Sequence, residues 1–314
     1  MRRNVRLWAA WDADLNRASR IMLRDESLRA VLFLSLAVAT AGAGCTSCKQ
    51  KEVAGRRADD APALGRFIWH ELMTSDPAAA ASFYSDVMGW TAHRDDADYT
   101  TLRNGNASIG GIPKLQTWKE GDRPYWTGTV LVDDVDRTAQ LARDIGGIVS
   151  VEPVDVPNAR FAIIEDFRGG SMHVSRPVAR VRLHDSRQPG EFYWCEYEAT
   201  DGNAALGFYG LLFGWVSLDE RAGSPAGELT VFGRNGIPIG SIHADQGLPN
   251  RWLYFIQVTD LDASIKRALA KGGSIRAQPS SVSDGRVAVL YDPQGAVFAL
   301  HQSAGALPGS GDER

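Results

Sequence analysis

One octet occurs twice in this chain. Phe83–Trp90 reads FYSDVMGW, and Phe208–Trp215 reads FYGLLFGW, 125 residues further along. The glycine pair Gly146–Gly147 recurs as Gly272–Gly273 at an offset of 126 residues. The self-similarity extends over about 110 residues, which is longer than one unit of a solenoid repeat. The sequence therefore predicts a duplicated domain.

The repeat sets the predicted domain boundaries. The first copy covers residues 66–176 and the second covers residues 189–303, joined by a polar linker over residues 177–188. A chain of 314 residues is long enough for two such domains. Residues 304–314 are predicted to be a disordered tail.

Each copy reads as a strand, a helix and three strands, and then the same order again. The alternating segment FIWHELMT favours a strand, after which Asp76 supplies a helix N-cap and Pro77 the first helical position. Gly89 is placed to end that helix. SIGGI at Ser108–Ile112 corresponds to PIGSI at Pro238–Ile242, 130 residues later, so the second copy carries an inserted loop.

Charge and cysteine content exclude some classes of protein. The formal net charge of −4 provides no general basic surface, so no nucleic-acid partner is expected. The three cysteines, Cys45, Cys48 and Cys195, form neither a disulfide framework nor a set of zinc ligands. Cys195 is out of phase with its strand neighbours Trp194 and Glu196, so we expect it to be buried on the helix side.

The N-terminal 45 residues have the layout of an export signal. Arg29 precedes about 15 apolar or small residues that end at Cys45, a run too short to span a bilayer comfortably. The small residues before Cys45 resemble a bacterial lipobox, although Gly42 stands where Leu is usual. This resemblance implies lipidation of Cys45, a flexible tether over residues 46–65, and a membrane-anchored, extracytoplasmic lipoprotein in the periplasm or on the cell surface.

Other interpretations of this N-terminal segment stay open. It could be a plain cleaved signal or an uncleaved anchor. The polar residues before Met22 lie upstream of the signal, so translation could begin at Met22 rather than at Met1.

The repeated motifs resemble the vicinal oxygen chelate superfamily, which comprises glyoxalases, bleomycin-resistance proteins and extradiol dioxygenases. The pattern W-x-E-x-x-x-S/T-D begins at Trp69 and at Trp194, and the octets follow it. VDDVD or VTDLD and the turns DFRG and DPQG complete the likeness in the two copies. The resemblance implies an α+β fold of two tandem domains, each built from two βαβββ modules that form a β-cup. It also implies that the two domains pair within one chain.

Enzymes of this superfamily usually hold a divalent ion in the cup, on His or Glu at one position in each lining strand. The resemblance assigns those positions to the following residues of this chain: Trp69, Ile109, Thr127 and His173 in copy one, and Trp194, Ile239, Leu253 and Ala299 in copy two. His173 alone among them is a good ligand, and one imidazole does not make a metal site. We therefore expect no metal cofactor, with a divalent ion as the less favoured alternative.

Alternation along the strands predicts what lines the cups. Residues two apart share a face, so Glu71 joins Trp69, Glu196 joins Trp194, and His301 joins Ala299. The candidate cavity residues are Trp69, Glu71, Thr127, His173, Trp194, Glu196 and His301. Aromatic walls with one carboxylate and one imidazole per cup suit a small hydrophobic or aromatic molecule. The alternative is that the two glutamates form salt bridges at a rim or between copies.

Three functional classes remain open from the sequence. The first is a metal-free module that binds small molecules, and the second is a lyase, hydroxylase or dioxygenase of the same superfamily. The third is a scaffold whose cups are filled by side chains. The remaining histidines, His70, His93, His184 and His243, show no metal-ligand spacing and are expected at the surface or in loops.

Overall fold

The protein is described by a computed structural model. The structure describes the following residues: 63–115, 122–179, 182–183, 187–218 and 228–304. The predicted export signal, the lipidated Cys45 and the tail beyond residue 304 lie outside the described residues. None of the described helices is long and apolar enough to cross a membrane.

Four βαβββ modules follow one another along the chain. The first copy contains β1 (Phe67–Met73), α1 (Pro77–Met88), β2 (Thr91–Arg94), β3 (Tyr99–Asn104), β4 (Ala107–Pro113), β5 (Tyr125–Leu131), α2 (Val135–Asp144), β6 (Ile148–Val156), β7 (Ala159–Glu165) and β8 (Ser171–Pro177). The second copy contains β9 (Phe192–Ala199), α3 (Gly202–Phe213), β10 (Val216–Ser217), β11 (Glu228–Arg234), β12 (Ile237–Ala244), β13 (Arg251–Gln257), α4 (Leu261–Ala270), β14 (Ser274–Val282), β15 (Gly285–Tyr291) and β16 (Val297–Ser303).

Each copy forms one eight-stranded mixed sheet of identical topology. The strand order is β2-β3-β4-β1-β5-β8-β7-β6 in the first sheet and β10-β11-β12-β9-β13-β16-β15-β14 in the second. The two modules of each copy join where β1 pairs antiparallel with β5, and where β9 pairs antiparallel with β13. Neither sheet closes on itself, so each makes an open cup. The predicted α+β fold with tandem β-cups is confirmed.

Local sequence accounts for the ends of the helices. Asp76, Asp134, Asp201 and Asp260 cap the four helices, each accepting a hydrogen bond from the backbone N–H three residues later. Gly89 and Gly214, the glycines of the repeated octets, end α1 and α3 with φ of 75° and 71°. Only glycine adopts this left-handed conformation without steric cost, so the predicted C-caps are confirmed.

The tryptophans of the octets reach across to the opposite copy. Trp90 Nε1 donates to the carbonyl of Gly190 at 2.8 Å, and Trp215 Nε1 donates to the carbonyl of Gly65 at 2.7 Å. Gly65 ends the predicted tether, and its neighbour Leu64 is buried. The last residues of the tether are therefore part of the folded unit.

The tyrosines of the octets make the second cross-link between the copies. Tyr84 Oη donates to Asp292 at 3.3 Å, and its equivalent Tyr209 donates to Asp166 at 3.2 Å. Tyr197 also donates to Asp166. The other oxygen of each aspartate accepts backbone N–H groups of its own turn, at Arg168 and Gly170 for Asp166. The repeated octet of each copy thus contacts the repeated turn of the other copy. These contacts form the interface between the two copies, the joint.

The copies share a single hydrophobic core at this joint. Helix α1 packs against α4 of the other copy, and α2 packs against α3. Phe83, Tyr84, Phe208 and Tyr209 all lie in one continuous buried cluster. Since the convex faces of both sheets meet there, the concave faces point away from the joint.

We predict that Tyr209→Phe lowers the free energy of unfolding by about 1–3 kcal/mol, because it removes a buried hydrogen bond to a carboxylate. Urea denaturation followed by circular dichroism measures the change. Leu211→Ala on the same helix is the control, since Leu211 is 64% exposed and its loss should cost no more than about 0.5 kcal/mol. Equal stability of Y209F and wild type would contradict the assigned role of the Asp166 contact.

Candidate ligand-binding sites in the two cups

Alternation along β1 separates the cup from the joint. Trp69 packs with Tyr99 and Ala159 in a cluster of its own, whereas Leu72 lies in the shared core. His70 also points toward the joint, where its ring stacks on Phe192 of the other copy at 4.0 Å between centroids. His70 is therefore buried, and its expected surface position was wrong.

In the first cup a tyrosine links the predicted tryptophan and glutamate. Trp69 Nε1 donates to Tyr99 Oη at 2.8 Å, and Tyr99 Oη donates to Glu71 Oε1 at 2.8 Å. Gly111 leaves room for the phenol, since a Cβ there would lie 1.9 Å from Tyr99 Oη. Burial, together with the neighbouring Glu71 charge, raises the pKa of Tyr99 well above its ordinary value, so the phenol stays protonated and remains a donor.

His173 and Thr127 adjoin the same carboxylate. His173 Nδ1 lies 3.3 Å from Glu71 Oε2, and its ring meets Phe161 edge-on at 5.0 Å between centroids. Thr127 is the Cα partner of Glu71 across the β1–β5 ladder. Within the described part of the chain, Thr127 Oγ1 and His173 Nδ1 are buried without a hydrogen bond of good geometry. The structure thus brings together four sequence-predicted residues of copy one.

In the second cup a serine takes the place of the tyrosine hydroxyl. Trp194 Nε1 donates to Ser241 Oγ at 3.1 Å, and Ser241 Oγ donates to Glu196 Oε2 at 3.2 Å. Ser241 is the Cα partner of Glu196, just as Gly111 is the partner of Glu71. The alignment of SIGGI with PIGSI already matches Gly111 to Ser241. The sequence alone does not give the strand register that brings Ser241 beside Glu196.

The imidazole beside Glu196 is not the predicted one. His243 Nδ1 lies 3.7 Å from Glu196 Oε1, whereas His301 makes its contacts elsewhere. His301 Nδ1 is 2.8 Å from Gln257 Oε1, and Nε2 is 3.2 Å from Asp284 Oδ1. Burial lowers the pKa of His301, despite that aspartate.

The reason for this difference is position along the strand. His301 lies on the same strand face as Ala299 but two residues further along. Its ring there stands 4.9 Å from that of Tyr193, between centroids. His243, which was expected at the surface, reaches Glu196 from β12.

A largely buried ion cluster lies on the same face of β9, two residues beyond Glu196. Glu198 accepts hydrogen bonds from Arg251 at 2.7 Å and from Arg276 at 3.0 Å. Burial opposes ionisation of Glu198, but the two guanidinium groups outweigh it and lower its pKa. Arg276 belongs to the edge strand β14, so its contact with β9 links distant parts of the curled sheet. The corresponding residues in copy one are uncharged: Met73, Tyr125 and Ser150.

Among the residues that the structure describes, neither cup offers the donor set that the superfamily's metal chemistry uses. Over the described ranges, no group of three or more His, Cys, Asp or Glu side chains is placed to hold a metal ion. Glu71 and His173 are two donors without a third, and Glu196 has His243 at 3.7 Å. The residues present do not fit a resident divalent ion.

Comparison with known proteins assigns the family. The Glyoxalase/Bleomycin resistance protein/Dioxygenase superfamily matches residues 66–172, and the Glyoxalase-like domain matches residues 194–301. A protein named "Putative glyoxylase CFP32" from Mycobacterium tuberculosis is 31% identical over 252 residues, which are 75% of this chain and 94% of that protein. The chain therefore belongs to the glyoxalase, bleomycin-resistance and dioxygenase superfamily, as a tandem two-domain member.

Other similar proteins have different functional names but share the fold. Anthracycline biosynthesis protein DauV from Streptomyces sp. strain C5 is 28% identical over 280 residues, covering 80% of this chain and 98% of that protein. The manganese(II)-bound glyoxalase from Novosphingobium aromaticivorans superposes with a TM-score of 0.55 at 15% identity, covering 76% of this chain and 82% of that one. A homoprotocatechuate 2,3-dioxygenase variant from B. fuscum gives 0.56 at 15% identity, covering 81% and 76%. At these identities, the two structures show the shared fold alone.

A second carboxyl group in the first cup makes stability depend on pH. Glu165 shares a face of β7 with Phe161 and Ile163 and is buried. Burial raises its pKa from 4.5 to about 7, although a hydrogen bond from Ser150 opposes the rise. A raised carboxyl pKa stabilises the fold fully below pH 4.5, and that contribution is lost as the pH rises through 7.

We predict that the unfolding free energy of wild type, relative to that of Glu165→Gln, falls by about 3 kcal/mol in total as the pH rises from 4.5 to 7.5. Comparing the two proteins removes the contribution of all other titrating groups. Urea titrations at closely spaced pH values measure the difference. A difference that stays constant across this range would contradict the assigned environment of Glu165.

Proposed function

We propose that this protein binds a small, partly aromatic or hydrophobic molecule in a β-cup and does so without a metal ion. The observation that carries the proposal is the polar relay common to both cups. An indole N–H, a hydroxyl and a glutamate are linked in each cup, although Tyr99 supplies the hydroxyl in one and Ser241 in the other. A few fixed polar groups in an otherwise apolar, aromatic wall are typical of small-molecule pockets.

The relatives are consistent with this chemistry. DauV, and DnrV from Streptomyces peucetius at 29% identity, are named for anthracycline biosynthesis, and anthracyclines contain fused aromatic rings. The absence of a three-donor cluster in the described residues supports recognition by side chains rather than by a bound ion.

We predict that planar aromatic compounds raise the melting temperature of the purified protein, because a ligand that binds only the folded state stabilises it by mass action. Dialysis against EDTA should leave both the shift and the dissociation constant unchanged. Thermal-shift screening and calorimetry with and without chelator make the test. Loss of binding in EDTA, restored by one equivalent of manganese or zinc, would contradict the metal-free proposal. No shift with any aromatic compound would contradict the binding function itself.

We also propose that the folded unit is held at a membrane by a lipid on Cys45, outside the cytoplasm. Support comes from the apolar run after Arg29 and the small residues before the cysteine. Cys45→Ser should abolish metabolic labelling by palmitate in a bacterial host and release the protein from the membrane fraction. Cys48→Ser, three residues away, is the matched control and should behave as wild type. Labelled, membrane-bound C45S would contradict the proposal.

A further inference from the structure

The two cups differ in how far their walls are exposed to solvent. In the first cup every wall position compared is buried: Trp69, Glu71, Tyr99, Phe161, Ile163 and His173. Their equivalents in the second cup include a partly exposed set: Trp194, Glu196, Leu229, Val287 and Val289. The floor of the second cup is nevertheless buried and apolar, with Leu253, Phe255 and Ala299 in one cluster. The wall of the second cup is therefore more exposed than that of the first, and it lies over an apolar floor.

Residue exchanges between the copies explain this difference. Tyr99, whose phenol lies over Gly111, corresponds to Leu229, and Gly111 corresponds to Ser241. The hydroxyl of the relay is therefore kept while the phenol ring is removed. Phe161 becomes Val287 on the neighbouring wall, and a second ring is lost. In the first cup, the phenol of Tyr99 and the indole of Trp69 occupy the space beside Glu71.

The imidazole of the first cup is exchanged as well. His173 becomes Ala299 in the second cup, so this side of the cup loses its polar group. Phe255 replaces Thr129 beside it and provides an aromatic surface in the floor.

Glu196 has an oxygen positioned to accept a hydrogen bond from a ligand. Its Oε2 accepts from Ser241, while the described contact of Oε1 is His243 Nδ1 at 3.7 Å, too long for a hydrogen bond. The glutamate is only partly exposed, so a donor from a bound molecule would form a strong, charge-assisted bond there. A phenolic hydroxyl on a bound molecule is such a donor.

We infer that the second cup is the binding cup, and that its ligand is a planar aromatic molecule bearing a hydroxyl group. The ring lies against Phe255, Val287 and Val289, and the hydroxyl donates to Glu196. The first cup is a scaffold that holds its own phenol, Tyr99, in the same relation to Glu71. This inference rests on the proposed small-molecule function. It adds which of the two cups binds the molecule and to which chemical class the molecule belongs.

Calorimetry with 6-bromo-2-naphthol and 2-bromo-6-methoxynaphthalene tests the inference, because the second probe lacks the hydroxyl donor. Wild type should bind 6-bromo-2-naphthol at least about tenfold more tightly than 2-bromo-6-methoxynaphthalene. Glu196→Gln should weaken naphthol binding by a similar factor and remove most of the preference. Glu71→Gln is the matched change in the first cup and distinguishes the two cups. Leu211→Ala, on the exposed face of α3 and outside both cups, is the control and should leave both dissociation constants within about twofold.

Crystals soaked in the bromonaphthol give an independent readout, since the bromine can be located by anomalous scattering. We expect its peak between Trp194 and Val289. A peak beside Trp69, or loss of affinity in E71Q but not in E196Q, would overturn the assignment and leave small-molecule binding intact. Failure of the naphthol to bind, while other aromatic compounds raise the melting temperature, would overturn the hydroxyl selectivity alone. Failure of all aromatic compounds would overturn the proposed function as well.

Discussion

Two buried carboxylates at the joint between the copies determine how this chain folds. Burial raises the pKa of both Asp166 and Asp292, so each requires hydrogen-bond donors to be accommodated. One oxygen of each is satisfied by backbone N–H groups of its own turn, and the other by tyrosine from the opposite copy. Neither turn is complete without its partner domain. Fusing the copies in one chain makes this pairing intramolecular, which raises the effective concentration of each domain for the other.

The joint constrains one face of each sheet and leaves the other free to diverge. Equivalent residues fill the joint in both copies: Tyr84 and Tyr209, Trp90 and Trp215, Trp126 and Trp252. On the concave faces the Trp-hydroxyl-Glu relay persists, but the groups around it differ in size, charge and exposure. The first cup contains Glu165, His173 and Tyr99 in a buried setting, whereas the second has an apolar floor and an arginine-glutamate cluster at one end. One scaffold therefore carries two chemically different cups.

The repeat and its periodicity predicted the duplicated domain and the order of strands and helices, since caps, glycine stops and apolar spacing act locally. The β-cup fold itself was implied by the resemblance to the superfamily. Ala80, Phe83 and Val87 form the buried face of α1, at spacings of three and four residues, and Cys195 is buried as expected. The joint was not predictable in this way. Tyr84 and Asp292 are 208 residues apart, and no local pattern indicates that they meet.

The contents of the cups were predictable only along single strands. Alternation placed Trp69 with Glu71 and Trp194 with Glu196, because a strand's own period decides which side chains share a face. Tyr99, Ser241 and His243 were missed, because their approach depends on the register of β3, β11 and β12 against their neighbours. His301 was assigned to the correct strand face but lies too far along the strand to reach Glu196.

Exchange of the tryptophan indole hydrogens with solvent measures whether the wall of the second cup is more accessible than that of the first. ¹⁵N-labelled tryptophan gives one indole signal for each tryptophan, and Trp→Phe variants assign those of Trp69 and Trp194. We expect the Trp69 indole hydrogen to exchange slowly, near the rate set by global unfolding, and the Trp194 indole hydrogen to exchange much faster. Equal rates for the two, or slower exchange at Trp194, would contradict this expectation.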